Sequence, residues 1–219
     1  MAQTIPNQTQ SSGGITVAGS GIVLAQPDTA RITLGVDLTE QSLAQAQSEA
    51  AQRMDAVVAK LKADGIADDD IHTVAFNVTP QYDQQQGQSQ GTLRGYEVQN
   101  LVEVKTTNVG GLGTLLDDAV AAGATRIFGI SFEASNMEAL TAQARDQAMS
   151  NAQAKAQQLA GDAGVGLGRV VAVNESDTNG VTPVQVQPRA AAPAAAVSTP
   201  IQAGQLQITT NVTVTYAIQ

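Results

Sequence analysis

Consecutive acidic residues form the densest chemically capable clusters in this 219-residue sequence. Asp68, Asp69 and Asp70 are adjacent, and Asp117 is followed directly by Asp118. A calcium-binding loop needs oxygen ligands at alternate positions and a closing Glu, and the first cluster has neither. Adjacent residues on a helix diverge by about 100°, so the second pair would not face one ligand. We therefore interpret the first cluster as a solvated turn and the second as surface charge.

Scarce histidine and absent cysteine limit the chemistry that this chain can perform. Without cysteine there can be no disulfide, no thiol catalysis and no Cys-ligated zinc or iron–sulfur site. The one histidine, His72, excludes a multi-His metal site within the chain and weakens any His-based acid–base scheme. It lies one residue off the apolar alternation of its strand, so we expect it to be exposed. The residues thus predict no catalytic residue, no cofactor and no metal site.

Gly19 and Gly21 match part of a nucleotide-binding fingerprint. The full G-x-G-x-x-G pattern and the helix after it are missing, and an apolar strand follows instead. We predict a strand over residues 15–24, with a bulge or a close backbone approach at the glycines. A turn at Pro27 and Asp28 would join it to the next strand, which predicts a hairpin over residues 15–38.

Composition and charge disfavour several classes of protein. The net charge is −9, so a surface that binds phosphate backbones is not expected. Aromatic residues are 3% with no Trp, which disfavours stacking platforms for bases or sugars. No apolar run approaches the roughly 18 residues of a transmembrane helix. Residues 1–13 are polar and lack a signal-peptide core, so we expect a disordered lead-in, in a cytosolic protein or in an exported one supplied without its leader.

Alternating apolar and polar residues predict strands with one buried and one wet face. The first clear case is residues 30–38, with Ala30, Ile32, Leu34, Val36 and Leu38 on the apolar side. The same alternation recurs at Val74, Phe76, Val78 and Tyr82; at Tyr96, Val98, Val102 and Val104; at Phe128, Ile130, Phe132 and Ala134; and at Leu206, Ile208, Val212, Val214, Tyr216 and Ile218.

Three apolar stripes of helical period alternate with these strands. They begin near residues 43, 110 and 137 and end at Gly65, Gly123 and Gly164. The pattern predicts an α+β fold of order ββαββαβαββ, an antiparallel or mixed sheet with helices packed on one face. Residues 14–219 would form one domain, with a mobile Pro/Ala-rich loop at 176–200.

The last strand predicts self-assembly. Its alternation extends over residues 206–218, which would span roughly 43 Å, longer than a domain of this size covers fully. Its polar face carries no lysine to protect an exposed edge. We therefore predict a homo-oligomer, with this strand or the 15–38 hairpin at the interface. The candidate interface residues are Val212, Val214, Tyr216 and Ile218.

Five runs in the same order make the whole chain similar to the SIMPL-domain family, of the bacterial periplasmic immunogenic and oxidative-stress-related type. They begin with ITVAGSGIVLAQPDTARITLGVD, continue through residues 54–83, 95–135 and 144–176, and end with VTVTYAI. The matching positions are structural: Gly19, Gly21, Pro27, Asp28, Gly65, Tyr82, Tyr96, Gly123, Gly129 and Gly164. The Gln-rich stretch at 84–91 departs from the pattern in a region that varies within the family.

The resemblance implies an exported protein of the periplasm or cell surface, peripherally associated with the envelope. It implies no enzymatic activity, no catalytic residues and a ring-like or channel-like homo-oligomer, with suggested roles in envelope integrity and stress defence. Two other readings stay open. One is a periplasmic binding module for a small ligand or a peptide, and the other is a hydrolase whose site the residues do not reveal. A monomer in solution would favour the binding module.

Overall fold

The computed structural model describes residues 13–83, 91–184 and 199–219. Within them, strands and helices follow one another in the predicted order ββαββαβαββ. Every strand pair is antiparallel, which confirms the predicted α+β class. The bounds are β1 Gly14–Ala25, β2 Thr29–Glu40, α1 Leu43–Ala63, β3 Ile71–Asp83, β4 Thr92–Thr106, α2 Leu112–Ala122, β5 Arg126–Glu133, α3 Met137–Asp162, β6 Leu167–Val184 and β7 Gln205–Ile218.

The described residues form two sheets in two compact units. The four-stranded unit contains the described parts of Gln26–Ser135 and Gln185–Gly204, with strand order β3-β4-β2-β5. The three-stranded unit contains the described parts of the remaining chain, with strand order β1-β7-β6. Helices α1 and α2 belong to the first unit and α3 belongs to the second.

Helix α1 packs its apolar stripe on the centre of the four-stranded sheet. The Ser42 hydroxyl accepts a hydrogen bond from the Gln45 N–H and caps the start of the helix. Val57 and Leu61 of this stripe are fully buried. The core around them includes Ala46, Ala50 and Met54 of α1, Ala30, Ile32, Leu34 and Val36 of β2, Val98, Val102 and Val104 of β4, and Leu112, Leu115, Leu116 and Ala119 of α2.

Strand β3 does not have the buried face that its alternation predicts. β3 is an edge strand, paired with β4 alone in the described residues. Helix α1 packs against β2 and β4, so the outlying strand is left uncovered. The four apolar residues predicted to be buried, Val74, Phe76, Val78 and Tyr82, are therefore exposed. At the other edge, Phe128 is also exposed, because a register shift in the β2–β5 pairing displaces it.

The three-stranded unit is held together by unusually close packing of α3 on β1. Ala144, Ala148 and Ala152 of α3 are fully buried at steps of four residues. Opposite them, a Cβ atom on Gly19 would lie 2.1 Å from the Ala148 carbonyl oxygen. The predicted close approach at the two glycines is therefore real, and the missing side chains let a helix backbone rest on the strand.

The predicted hairpin over residues 15–38 is wrong. β1 pairs with β7, whereas β2 pairs with β4 and β5, so the two strands lie in different sheets. Asp28, in the predicted turn, instead holds the end of β5. Its backbone N–H donates to the Glu133 carbonyl oxygen (3.1 Å), and its carboxylate accepts from the Ser135 N–H (2.8 Å) and hydroxyl (2.6 Å).

Strand β6 runs further than the sequence predicts. It continues to Val184, so Ser176 and residues 180–184 pair with β7 rather than opening the predicted 176–200 loop. Residues 185–198 of that loop lie outside the described residues, as do residues 1–12 of the predicted lead-in and 84–90 of the Gln-rich stretch. The loop's far end is anchored, because Thr199 donates its N–H (3.2 Å) and its hydroxyl (2.8 Å) to the Asp117 carboxylate.

Candidate assembly surfaces

The C-terminal strand β7 lies at the centre of its sheet. β1 pairs along one side of it and β6 along the other. The sequence predicts an interface at this strand because its length is expected to leave an unpaired edge. That reason is wrong, since β7 is paired on both sides. Of the candidate interface residues, Val212, Val214 and Tyr216 are buried, and only Ile218 at the strand end is exposed.

Side chains of α3 close the free edge of β1. Three polar residues, four apart on the helix, bond to backbone groups that point away from β7. The contacts are Ile22 N–H to Gln147 Oε1 (3.2 Å), Ser20 N–H to Asn151 Oδ1 (3.3 Å) and Lys155 Nζ to the Ala18 carbonyl oxygen (2.8 Å). Because these three groups in the middle of the edge are occupied, residues 18–22 of β1 are protected against pairing with another strand.

Among the described residues, no strand pairs with the outer edge of β3, and this edge is apolar. Phe76 is 56% exposed and Val78 is 36% exposed, both on the face that carries Val98 of β4. The strand contains no lysine or arginine. Pro80, which has no N–H to donate, protects the edge beyond residue 79. Residues 71–79 therefore present a strand edge of the kind that pairs with other strands.

Strand β5 forms the opposite edge of the same sheet and is also open. It pairs only with β2 in the described residues, and Ile127 is 41% exposed. The Arg126 guanidinium lies 4.9 Å from the centre of the Phe128 ring and 2.7 Å from the Asp37 carboxylate. These contacts hold Arg126 in place on the sheet face that the helices leave uncovered.

Strand β6 forms the fourth edge. Val170, Val171 and Val173 are exposed along it. The Glu175 carboxylate accepts two hydrogen bonds from Arg145 of α3, at 2.8 and 3.0 Å. These bonds lower the pKa of Glu175 below its ordinary value and raise the pKa of Arg145. The ion pair ties the first half of β6 to α3.

Ion pairs join three strands on the uncovered face of the four-stranded sheet. Arg31 of β2 donates to Glu103 of β4 (2.9 Å) and to Glu133 of β5 (2.9 and 3.0 Å). Hydrogen bonds to Glu133 first, and then to Glu103, raise the pKa of Arg31. The contacts fix the strands relative to one another and leave no unpaired cation at this position.

The acidic residues noticed in the sequence are separated in the structure. Asp68 pairs with Lys62 (2.8 Å) and Asp118 pairs with Lys60 (2.9 Å), so both act as surface charge. Asp117 has a structural role that the sequence did not reveal, because its partner Thr199 is 82 residues away. His72 is exposed, as expected. Among the described residues, no three His, Asp or Glu side chains are grouped as a metal site requires.

An open cleft of about 810 Å³ lies at the end of the β3–β4 pair. Most of its walls are polar, and they carry both charges. Its lining residues are Thr39, Glu40, Gln41, Gln81, Tyr82, Asp83, Arg94 and Glu97. Pockets for drug-sized ligands are usually lined by apolar side chains. Because the walls of this cleft are mostly polar, it suits a polar ligand better than an apolar one.

Comparison with known proteins confirms the family resemblance. Residues 15–216 match the SIMPL family model, described as a protein of unknown function (DUF541). The chain belongs to the SIMPL family. Among its curated relatives, the 26 kDa periplasmic immunogenic protein of Brucella melitensis is 34% identical over 164 residues, 74% of this chain and 66% of that protein. The uncharacterized protein YggE of Escherichia coli is 31% identical over 173 residues, 79% of this chain and 70% of that protein.

This SIMPL-family chain spans about two thirds of the length of its Brucella relatives. A further relative, YggE of Edwardsiella ictaluri, is 32% identical over 182 residues, which are 83% of this chain and 75% of that protein. The Brucella relatives are named as periplasmic proteins. No helix in the described part of the chain is long and apolar enough to cross a membrane.

Proposed function

We propose that this chain is a non-enzymatic, self-assembling protein of the bacterial cell envelope that forms a ring-like or channel-like homo-oligomer. The observation that carries the proposal is the contrast between strand edges. In the described residues, β1 is closed by α3, whereas β3, β5 and β6 are open and bear exposed apolar side chains. Open apolar edges favour pairing with another chain, and identical subunits use up such edges in closed rings.

The absence of an enzymatic activity is part of the proposal. With no cysteine and one histidine in the whole chain, nucleophilic and acid–base schemes have few residues to draw on. A periplasmic location is supported by the names of the Brucella relatives. A role in envelope integrity or stress defence follows from the family resemblance and belongs to the same proposal.

The mass of the native particle tests self-assembly. Native mass spectrometry or light scattering at low micromolar concentration should give a particle of two or more chains, a whole-number multiple of 22.4 kDa. A particle of one chain at every concentration would contradict the proposal. That result would favour the alternative, a periplasmic binding module for a small ligand or peptide.

The cleft beside Tyr82 is the structural feature that favours this alternative. Arg94 could bind a carboxylate there, while Glu40 and Glu97 could accept hydrogen bonds. Isothermal titration with a panel of amino acids and short peptides, on wild type and on an Arg94→Ala variant, distinguishes the two proposals. The binding module would be supported if the wild type is a monomer that binds one of these ligands and the Arg94→Ala variant does not bind it.

A further inference from the structure

We propose that copies of this chain join head to tail through the four-stranded sheet, with β3 of one copy adding as a strand to β5 of the next. This inference rests on the proposed self-assembly and names the surface that carries it. It follows from the direction of the edge strands, from their lengths and bulges, and from the side chains that they expose.

Strand direction singles out this sheet. The four strands are antiparallel throughout, so the two edges, β3 and β5, run in opposite directions. Two copies in the same orientation can therefore place β3 beside β5 and continue the antiparallel pattern. In the three-stranded sheet, β1 and β6 run in the same direction, and β1 is closed by α3. Head-to-tail addition is therefore blocked there.

The two edges also match in length. β5 has eight residues, Arg126–Glu133, and the open part of β3 before Pro80, residues 71–79, provides nine, of which residues 72–79 can pair with them. The open part of β3 contains one register shift, between Thr73 and Ala75, and β5 contains one, opposite Thr33 and Leu34. A second shift in the β3–β4 pairing lies beyond Pro80, between Gln81 and Tyr82. Because each strand has one extra residue, the shifts offset each other at the two ends of the pairing. We place Thr79 opposite Arg126 and His72 opposite Glu133 of the next copy.

The side chains in this register are complementary. On the helix-covered face, the exposed Val78 meets the exposed Ile127 of the next copy, so both lose apolar surface to water. On the opposite face, Arg126 of the next copy lies two strand spacings, roughly 9–10 Å, from Glu97, with Thr79 between them. The attraction between these opposite charges favours this orientation of the two copies. The pairing ends at Pro80, whose missing N–H cannot continue the hydrogen-bond pattern.

Disulfide trapping tests the register, because the cysteine-free chain gives no background. In one chain, residue 79 aligns through Glu97 with Thr39 of β2, whereas residue 126 pairs with Gly35. Three strand spacings, roughly 14 Å, and about 13 Å along the strand therefore separate residues 79 and 126, too far for an intramolecular bridge. Mild oxidation of a Thr79→Cys, Arg126→Cys double variant should give a ladder of covalent dimers, trimers and larger species that reducing agent abolishes. The matched control, Thr79→Cys with Glu133→Cys, should give none, since Glu133 of the next copy lies about 23 Å along the strand.

Two exposed aromatic residues of β3 provide a second test that needs no bridge. A Phe76→Lys variant should dissociate to a particle of one 22.4 kDa chain, because it places a charge inside the proposed interface. Tyr82→Lys changes an equally exposed residue of the same strand beyond Pro80 and should keep the wild-type mass. Circular dichroism would show that both variants are folded.

The outcomes distinguish this inference from the proposed self-assembly on which it rests. A wild-type oligomer without the 79–126 ladder, or one that survives Phe76→Lys, overturns the β3–β5 interface and leaves self-assembly standing, through β6 or through two β3 strands. A wild-type monomer overturns both. A ladder confined to the 79–126 pair, together with dissociation of Phe76→Lys alone, supports head-to-tail addition.

Discussion

A Cβ atom on Gly21 would lie 1.9 Å from the carbonyl oxygen of Ala144. The second nearest atom, the Ala148 backbone nitrogen, would be 2.7 Å away. Both atoms belong to the backbone of α3, so no side-chain rotation can relieve the overlap. The contact explains the glycines in the first strand: they allow the helix to approach β1 closely enough for its polar side chains to reach the strand edge.

We expect Gly21→Ala to destabilise the chain by about 1–3 kcal/mol or more, because α3 must shift to admit a methyl group. The free energy of unfolding, from urea denaturation, measures the effect. Gly161→Ala is the matched control. It lies within α3 with open space around it, and it should stabilise the helix by about 0.5–1 kcal/mol. A Gly21→Ala variant as stable as the wild type would mean that the close contact is not present in solution.

Thr210 should be replaceable with a gain in stability. Its side chain is fully buried, and its hydroxyl has no hydrogen-bond partner among the described residues. A buried donor or acceptor without a partner costs about 1–3 kcal/mol, so Thr210→Val should raise the midpoint of urea unfolding. Thr213→Val, at an exposed position of the same strand, should change it little. A lowered midpoint in Thr210→Val would show that the hydroxyl has a partner.

Truncation of Leu61 should be strongly destabilising. The side chain is fully buried between α1 and the sheet, and Leu61→Ala should cost about 2–5 kcal/mol in the free energy of unfolding. Leu159→Ala makes the same chemical change on α3, where the side chain is 48% exposed, and should cost much less. Equal losses in the two variants would contradict the assignment of the buried face of α1.

The contact between Asp28 and Ser135 should make stability depend on pH. Hydrogen bonds from the Ser135 hydroxyl first, and then from its N–H, lower the pKa of Asp28. Because the pKa of Asp28 is lower in the folded state, its ionised carboxylate stabilises the fold at pH values above the unfolded-state pKa of about 3.9. This stabilisation is lost as the pH falls through the folded-state pKa.

The difference in unfolding free energy between wild type and Ser135→Ala should therefore be larger at about pH 7 than at about pH 2. Ser131→Ala, an exposed serine of β5, serves as the control and should show little change with pH. A difference for Ser135→Ala that stays constant with pH would mean that the hydroxyl does not favour the ionised carboxylate.

The alternation of β2 and that of β3 are equally regular in the sequence, yet only one of them predicts burial correctly. Ile32 and Leu34 are fully buried, whereas Phe76 and Val78 are exposed. Alternation indicates that a segment is extended and that one of its faces is apolar and the other polar. Whether a helix covers the apolar face depends on where the strand lies in the sheet, and no local pattern contains that information.

Local patterns determined which segments are strands and helices, where each helix ends, and which family the chain belongs to. These properties depend on residues a few positions apart. The tertiary structure alone decided that β1 pairs with β7 rather than β2, that β7 is central, and that β3 and β5 are the open edges. Those features join residues as far apart as Gly14 and Ala217, and such pairing is selected by the packing of the whole chain. The sequence therefore suggests β7 as the candidate interface, whereas the strand order makes β3 and β5 the candidates.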